Sequence, residues 1–238
     1  MNTDSNRHTY LFAGIMVITI AFVLSFTSES LKELKLDNVK KEKMQNILST
    51  VGVNVSRDES EDLYNQYIIE ELSLTHNGDI DQEVNAFNIN LALEIRKGLD
   101  DQRFPLYIAD VDNSKYYIIP LRGNGLWNAI WGYIALKQDI NTIEGISFGH
   151  EAETAGLGAE ITEDWFMNSF NDEKILNSNG EFVGIYVSKS NNDPDNIDKN
   201  DNEVDAISGA TITGDGVSDM IKERLENYLP YFNNLSNE

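Results

Sequence analysis

Residues 9–28, TYLFAGIMVITIAFVLSFTS, contain no Asp, Glu, Lys or Arg. A bilayer core about 30 Å thick is crossed by roughly 20 apolar residues in a helix, so the run is just long enough to span. Tyr10 stands where an interfacial anchor would. The competing reading is a cleaved signal peptide, since Thr27, Ser28 and Ser30 are small. Against it, only Arg7 precedes the run as a basic residue and no A-x-A site follows it. A lipoprotein anchor is excluded because the chain has no cysteine. The expected layout is a short cytoplasmic tail at 1–8, a transmembrane helix at 9–28, a juxtamembrane helix or linker at 29–53 and one domain at 54–238.

Charge narrows the partners. The chain has 40 acidic against 18 basic residues in 238, a formal net charge of -22. Such a surface repels phosphate backbones, so no nucleic acid is expected as a partner. Without cysteine there is no disulfide, no cysteine-ligated iron–sulfur cluster and no thiolate zinc site. Three histidines, at 8, 76 and 150, leave little for a histidine-rich metal site.

The remainder reads as α+β, a mostly antiparallel sheet with flanking helices. Residues 29–53 carry Leu31, Leu34, Met44, Ile47 and Leu48 near helical spacing and stop at Gly52. Residues 54–103 are least legible: SRDESEDLYNQYIIEELSLTHNGDI suggests a helix into a loop and AFNINLALEIRKGLDDQ a strand. FPLYIADVDNSKYYIIPLRG at 104–123 reads as two strands around a tight turn. GLWNAIWGYIAL at 125–136 reads as a compact helix or strand, with Trp127 and Trp131 as core packing by themselves. Strands are expected at 145–151 and 181–190, and a helix at 163–176. The acidic stretch NNDPDNIDKNDNEVD at 191–205 has a calcium loop's composition but lacks the EF-hand's spacing and glycine, so it reads as a solvated loop.

VDAISGATITGDGVSDMIKERL, residues 204–225, is the densest signal. Val217, Met220, Ile221, Leu225, Tyr228 and Leu229 recur at helical spacing, which predicts a helix starting between Thr213 and Asp215. Two readings of its start stay open. One is a hydroxyl N-cap preceded by a glycine turn. The other is an anion site, where free amides and the helix dipole receive a phosphate near Thr211, with Gly209 and Ala210 allowing close backbone approach. No general base is evident nearby, so any covalent bond at Thr211 needs a separate enzyme.

DAISGAT, Asp205 to Thr211, resembles the D-x-x-S/T-G-A-T flavinylation motif of FMN-binding domains. GNGLWNAIWGYIAL at 123–136 resembles the G-x-G-L-W segment of that family, and HEAETAGLGAEI at 150–161 its E-T-P-G-L-G loop, with Ala155 replacing the usual proline. KMQNILSTVGV after a single span resembles the start of the C subunit of sodium-translocating NADH:quinone reductases. The G subunit of Rnf electron-transport complexes is a close relative, and a non-redox anchored acidic scaffold is the alternative of another class. The resemblance implies FMN carried as a phosphoester on Thr211, attached by a flavin transferase, in a subunit that passes electrons within a membrane complex oxidising NADH and reducing quinone. Around Thr211 the matching motifs place Asp205, Ser208, Gly209, Ala210 and Thr213, with Thr213 left to cap or touch the phosphate. Leu126 and Trp127, with Glu153, Thr154, Gly156, Leu157 and Gly158, would then line the ring pocket. The implied partners are the other subunits of the complex, the transferase during maturation, and lipid around 9–28. The resemblance also implies a flavin domain on the outer, periplasmic face of the cytoplasmic membrane. The lysines alone point the other way, because Lys32, Lys35, Lys40, Lys41 and Lys43 follow the span.

Overall fold

A computed structural model describes residues 5–191, 193 and 196–235. The stretch 191–205 read as a solvated loop therefore falls partly outside the described residues, as does the start of the 1–8 tail. The chain divides into two units, Met1–Lys43 and Met44–Glu238. Helix α1 (Asn6–Ser30) has no buried residue and, among the described residues, is the one helix long and apolar enough to cross a membrane. Helix α2 (Lys32–Ser49) begins in the first unit and ends in the second. The larger unit thus starts earlier than residue 54, because Met44, Ile47, Leu48 and Val51 are core residues.

Helix α3 (Ser60–Tyr67) leads without a break into strand β1 (Ile68–Leu74). Residues 86–102, expected as a strand, instead hold helical turns on either side of a one-turn helix α4 (Leu91–Glu94), with Asn85 and Asn90 side chains accepting backbone N–H bonds at the turn starts. Asn, Asp and Gly punctuate that stretch, and they favour turns over ladders. Strands β2 (Phe104–Val111), β3 (Ser114–Asn124), β4 (Ala129–Lys137) and β5 (Ile143–His150) follow as an antiparallel meander in the order β1-β2-β3-β4-β5. The β2–β3 connection is the expected hairpin, and its loop is the two residues Asp112 and Asn113, both at positive φ as a type I′ turn requires.

Both faces of the sheet are covered, which explains the near-continuous apolar runs in β2 and β3. Leu106, Ile108, Tyr117, Ile119, Leu121, Ile130 and Ile134 point into the larger core. Tyr107, Ala109, Ile118 and Ala135, alternating with them, point into a smaller core that takes in the end of α2 and Tyr64 of α3. Helix α5 (Asp164–Ser169) stops well short of the expected 163–176, because the chain turns at Asp172 (φ 66) to bridge the β5 side of the sheet. The strand expected at 181–190 shrinks to β6 (Tyr186–Val187), which pairs in parallel with β7 (Glu203–Val204). Helix α6 (Thr211–Glu226) lies on the larger core with Val217, Met220, Ile221 and Leu225 inward, and α7 (Leu229–Leu235) closes the end. An ideal Cβ on Gly216 would lie 2.2 Å from the Asn124 carbonyl oxygen, so only glycine lets α6 come this near the end of β3.

Glu173 is fully buried beside α5, with the Lys199 ammonium 3.4 Å from Oε1. Burial dominates and lifts its carboxyl to about 7, against the opposing pull of Lys199. A carboxyl raised on folding stabilises fully below its ordinary value and loses that contribution as pH rises through the folded one. Wild type should therefore lose stability between about pH 4.5 and 7 on account of this group, by up to about 3 kcal/mol. Chemical denaturation at pH 5 and pH 8 is expected to show Glu173→Gln gaining on wild type as pH rises.

Candidate functional site

Three segments far apart in sequence meet at the start of α6. The first is the turn from Gly125 to Asn128, closed by a Gly125 N–H bond to the Asn128 carbonyl and leading into β4. The second is the loop after β5, residues 150–158. The third is the turn 205–210, which delivers α6. Gly209 has φ +75, and an ideal Cβ there would meet Leu157 Cδ2 at 2.8 Å, so the second and third segments touch at a position that favours glycine.

The start of α6 differs from both expected helix boundaries. The helix begins at Thr211, with Ala210 at the N-cap and no side chain capping it. Thr213 is therefore no cap. It is 1% exposed and its hydroxyl donates a 2.7 Å hydrogen bond to Glu153 Oε2. Thr211 is exposed at the first helical position, where backbone amides have no intrahelical acceptor. Ala210 is also buried, packed into the larger core, so its methyl does not face the site's surface. Ser208 and Gly209 are exposed on the turn. Asp205 has a buried Oδ2 without a hydrogen-bond partner, an orphaned polar atom in the same turn.

Glu153 does not line an open pocket either; it is 7% exposed. Its Oε1 accepts the Trp127 backbone N–H at 3.0 Å, while Oε2 accepts Thr213. Its own N–H donates to His150 Nδ1 at 3.3 Å. Two glycines make room for the carboxylate: an ideal Cβ on Gly125 would stand 2.5 Å from Oε1, and one on Gly158 2.3 Å from Oε2. A charge-assisted bond of this kind is worth about 1.5–3 kcal/mol. Thr154 is exposed, and its Oγ1 accepts the Trp127 indole N–H at 3.2 Å. Gly156 sits at φ +77 at the exposed tip of the loop.

Trp127 is not core packing, since it is 66% exposed. Leu126, Leu157 (40% exposed) and Ile212 (58% exposed) are likewise uncovered. The site thus combines apolar side chains at the surface, an uncapped helix start and a presented hydroxyl. Such a set fits a flat aromatic ring that carries a phosphate, as FMN does. Ile212 and His150 were missed by the sequence reading. The glycines of the TGDG run in α6 were the available signal, because glycine in a helix interior costs about 1 kcal/mol and so marks close approach.

Comparison with known proteins gives the family. The FMN-binding domain family matches residues 125–226, which holds all three segments from Gly125 onward and the whole of α6. The crystal structure of NqrC, the C subunit of Na(+)-translocating NADH-quinone reductase, from Parabacteroides distasonis is 37% identical, with a TM-score of 0.75 over 84% of this chain and 96% of that one. The chain belongs to the NqrC family. The NqrC protein of Haemophilus ducreyi is 28% identical over 228 residues, 89% of this chain and 84% of that protein. NqrC of Shewanella oneidensis, 23% identical with a TM-score of 0.68, shows the same fold.

Because the Glu153 carboxylate fills the space beside Gly158, Gly158→Ala should lower stability by about 1–3 kcal/mol through loss of the Thr213 bond. Gly156→Ala has no neighbour within 4 Å of its Cβ and meets only its positive φ, so it should cost less. Thermal unfolding of the two variants checks the order.

Proposed function

We propose that this chain is the membrane-anchored, FMN-carrying electron-transfer subunit of a sodium-translocating NADH:quinone reductase, with the flavin esterified through its phosphate to Thr211. The observation that carries the reading is Thr211 itself: an exposed hydroxyl on the first residue of an uncapped helix, last residue of DAISGAT. The helix amides and dipole favour the phosphate there. Bound FMN would supply the electron uptake and release; the chain holds it and sets its surroundings. Leu126, Trp127, Leu157 and Ile212 would shield the ring from water, and Thr154 would serve as a hydrogen-bonding group at the rim.

A flavin transferase makes the bond. Thr211 would supply the acceptor oxygen for the flavin's phosphorus, the bond from that phosphorus to the donor nucleotide's other phosphate breaking as the ester forms and the hydroxyl proton passing to a base on the transferase. Asp205, with its orphaned oxygen, is positioned to help present the acceptor turn. The other subunits supply the NADH and quinone sites. Helix α1 anchors the protein in lipid, residues 1–8 stay in the cytoplasm, and the larger unit that begins at Met44 lies on the periplasmic face.

A denaturing gel of the protein made with the transferase should show a fluorescent band under ultraviolet light, lost in Thr211→Ala and kept in Leu157→Ala. In Leu157→Ala the ring loses an apolar contact, so flavin fluorescence and midpoint potential should shift; an unchanged spectrum and potential would move the ring elsewhere. Protease added to spheroplasts should digest the large domain, and protection would place it in the cytoplasm.

A further inference from the structure

In an α-helix, residues two apart point about 200° away from each other. Thr211 and Thr213 are such a pair, so fixing one inward turns the other out. Thr213 is fixed: it is buried and donates to Glu153. Glu153 is fixed in turn by the Trp127 N–H and by the walls that Gly125 and Gly158 leave open. Gly214 N–H bonds to the Ala210 carbonyl at 2.9 Å, so the first turn moves as one piece.

We infer that Glu153 and Thr213 are positioning residues for the acceptor: their hydrogen bond sets the rotation of the first turn of α6 and thereby presents the Thr211 hydroxyl to the transferase. The inference rests on FMN being carried on Thr211. Neither residue needs to touch the flavin for this role. The same carboxylate fastens the Trp127 turn to the helix start, so the ring's apolar walls and the acceptor hydroxyl are set by one group. Neither hydrogen bond is visible as a motif, since Glu153 lies 26 residues from Trp127 and 60 from Thr213.

The test follows covalent FMN incorporation with time, by in-gel fluorescence, in the full-length chain produced with its transferase. Thr213→Val keeps the shape and removes the donor; it should slow incorporation about ten-fold, the effect of one charge-assisted bond. Thr213→Ser keeps the donor and should stay near the wild-type rate. Because Glu153 acts through Thr213, Glu153→Ala combined with Thr213→Val should be little slower than the slower single variant. Should Thr213→Val fail to fold, Glu153→Asp carries the test: it keeps the charge but falls a methylene short, and incorporation should be slowed. Wild-type rates in Thr213→Val or, failing that, in Glu153→Asp overturn the inference, as does a double variant whose slowing is the product of the two singles. A dark wild-type band overturns the attachment at Thr211 and this inference with it, whereas labelled wild type beside equally labelled variants overturns only the positioning role.

Discussion

The site depends on a buried carboxylate with a partner on each oxygen. Glu153 takes a backbone N–H from the turn before β4 and a hydroxyl from the first turn of α6, while its own backbone belongs to the loop after β5. Without it, the Trp127 turn and the loop after β5 would keep the Trp127–Thr154 bond, and that loop and the α6 turn would keep the contact of Leu157 with Gly209, but no single group would hold all three segments. Removing one partner of such a group leaves a desolvated polar atom behind, a larger loss than the bond itself contributes. The glycines beside it follow from this requirement, since a methyl at either position would stand where the carboxylate oxygens are.

The sheet supplies the rigidity that makes such a small device useful. With apolar side chains on both faces, β2, β3 and β4 are held between two cores, and α6 lies across one of them. Gly216 brings the helix close to the end of β3, so the helix start projects at the rim where the β3–β4 turn and the loop after β5 emerge. A presented hydroxyl on a firmly docked helix suits a carrier, since it would hold a cofactor at one defined point beside exposed apolar side chains. NqrC proteins share this fold, as the 0.75 TM-score with the Parabacteroides distasonis protein shows.

Acidity and burial act at different levels. The net charge of -22 shapes which surfaces approach the protein, as long-range fields do. Glu173 acts locally, where burial outweighs a nearby ammonium and ties stability to pH. The two are independent, because surface charges are screened over about 10 Å at ordinary salt while a buried group is not.

Much was legible along the chain. The charge-free run became a single long helix, the Asp112–Asn113 turn became a hairpin, and the apolar stripe from Val217 to Leu225 became the inward face of α6. Short elements were not legible. Residues 86–102 and 181–190 alternate like strands, yet local side-chain bonds and a lone parallel pairing decided their form. Motif order alone named the residues around the acceptor and left open which of them face out. Thr211 and Thr213 are the same residue type two positions apart, and the motif that ends at Thr211 does not say which of the two points outward. Only the tertiary structure separates them: the phase of a helix is set by what it docks against, and here a carboxylate 60 residues away draws one hydroxyl inward and leaves the other at the surface.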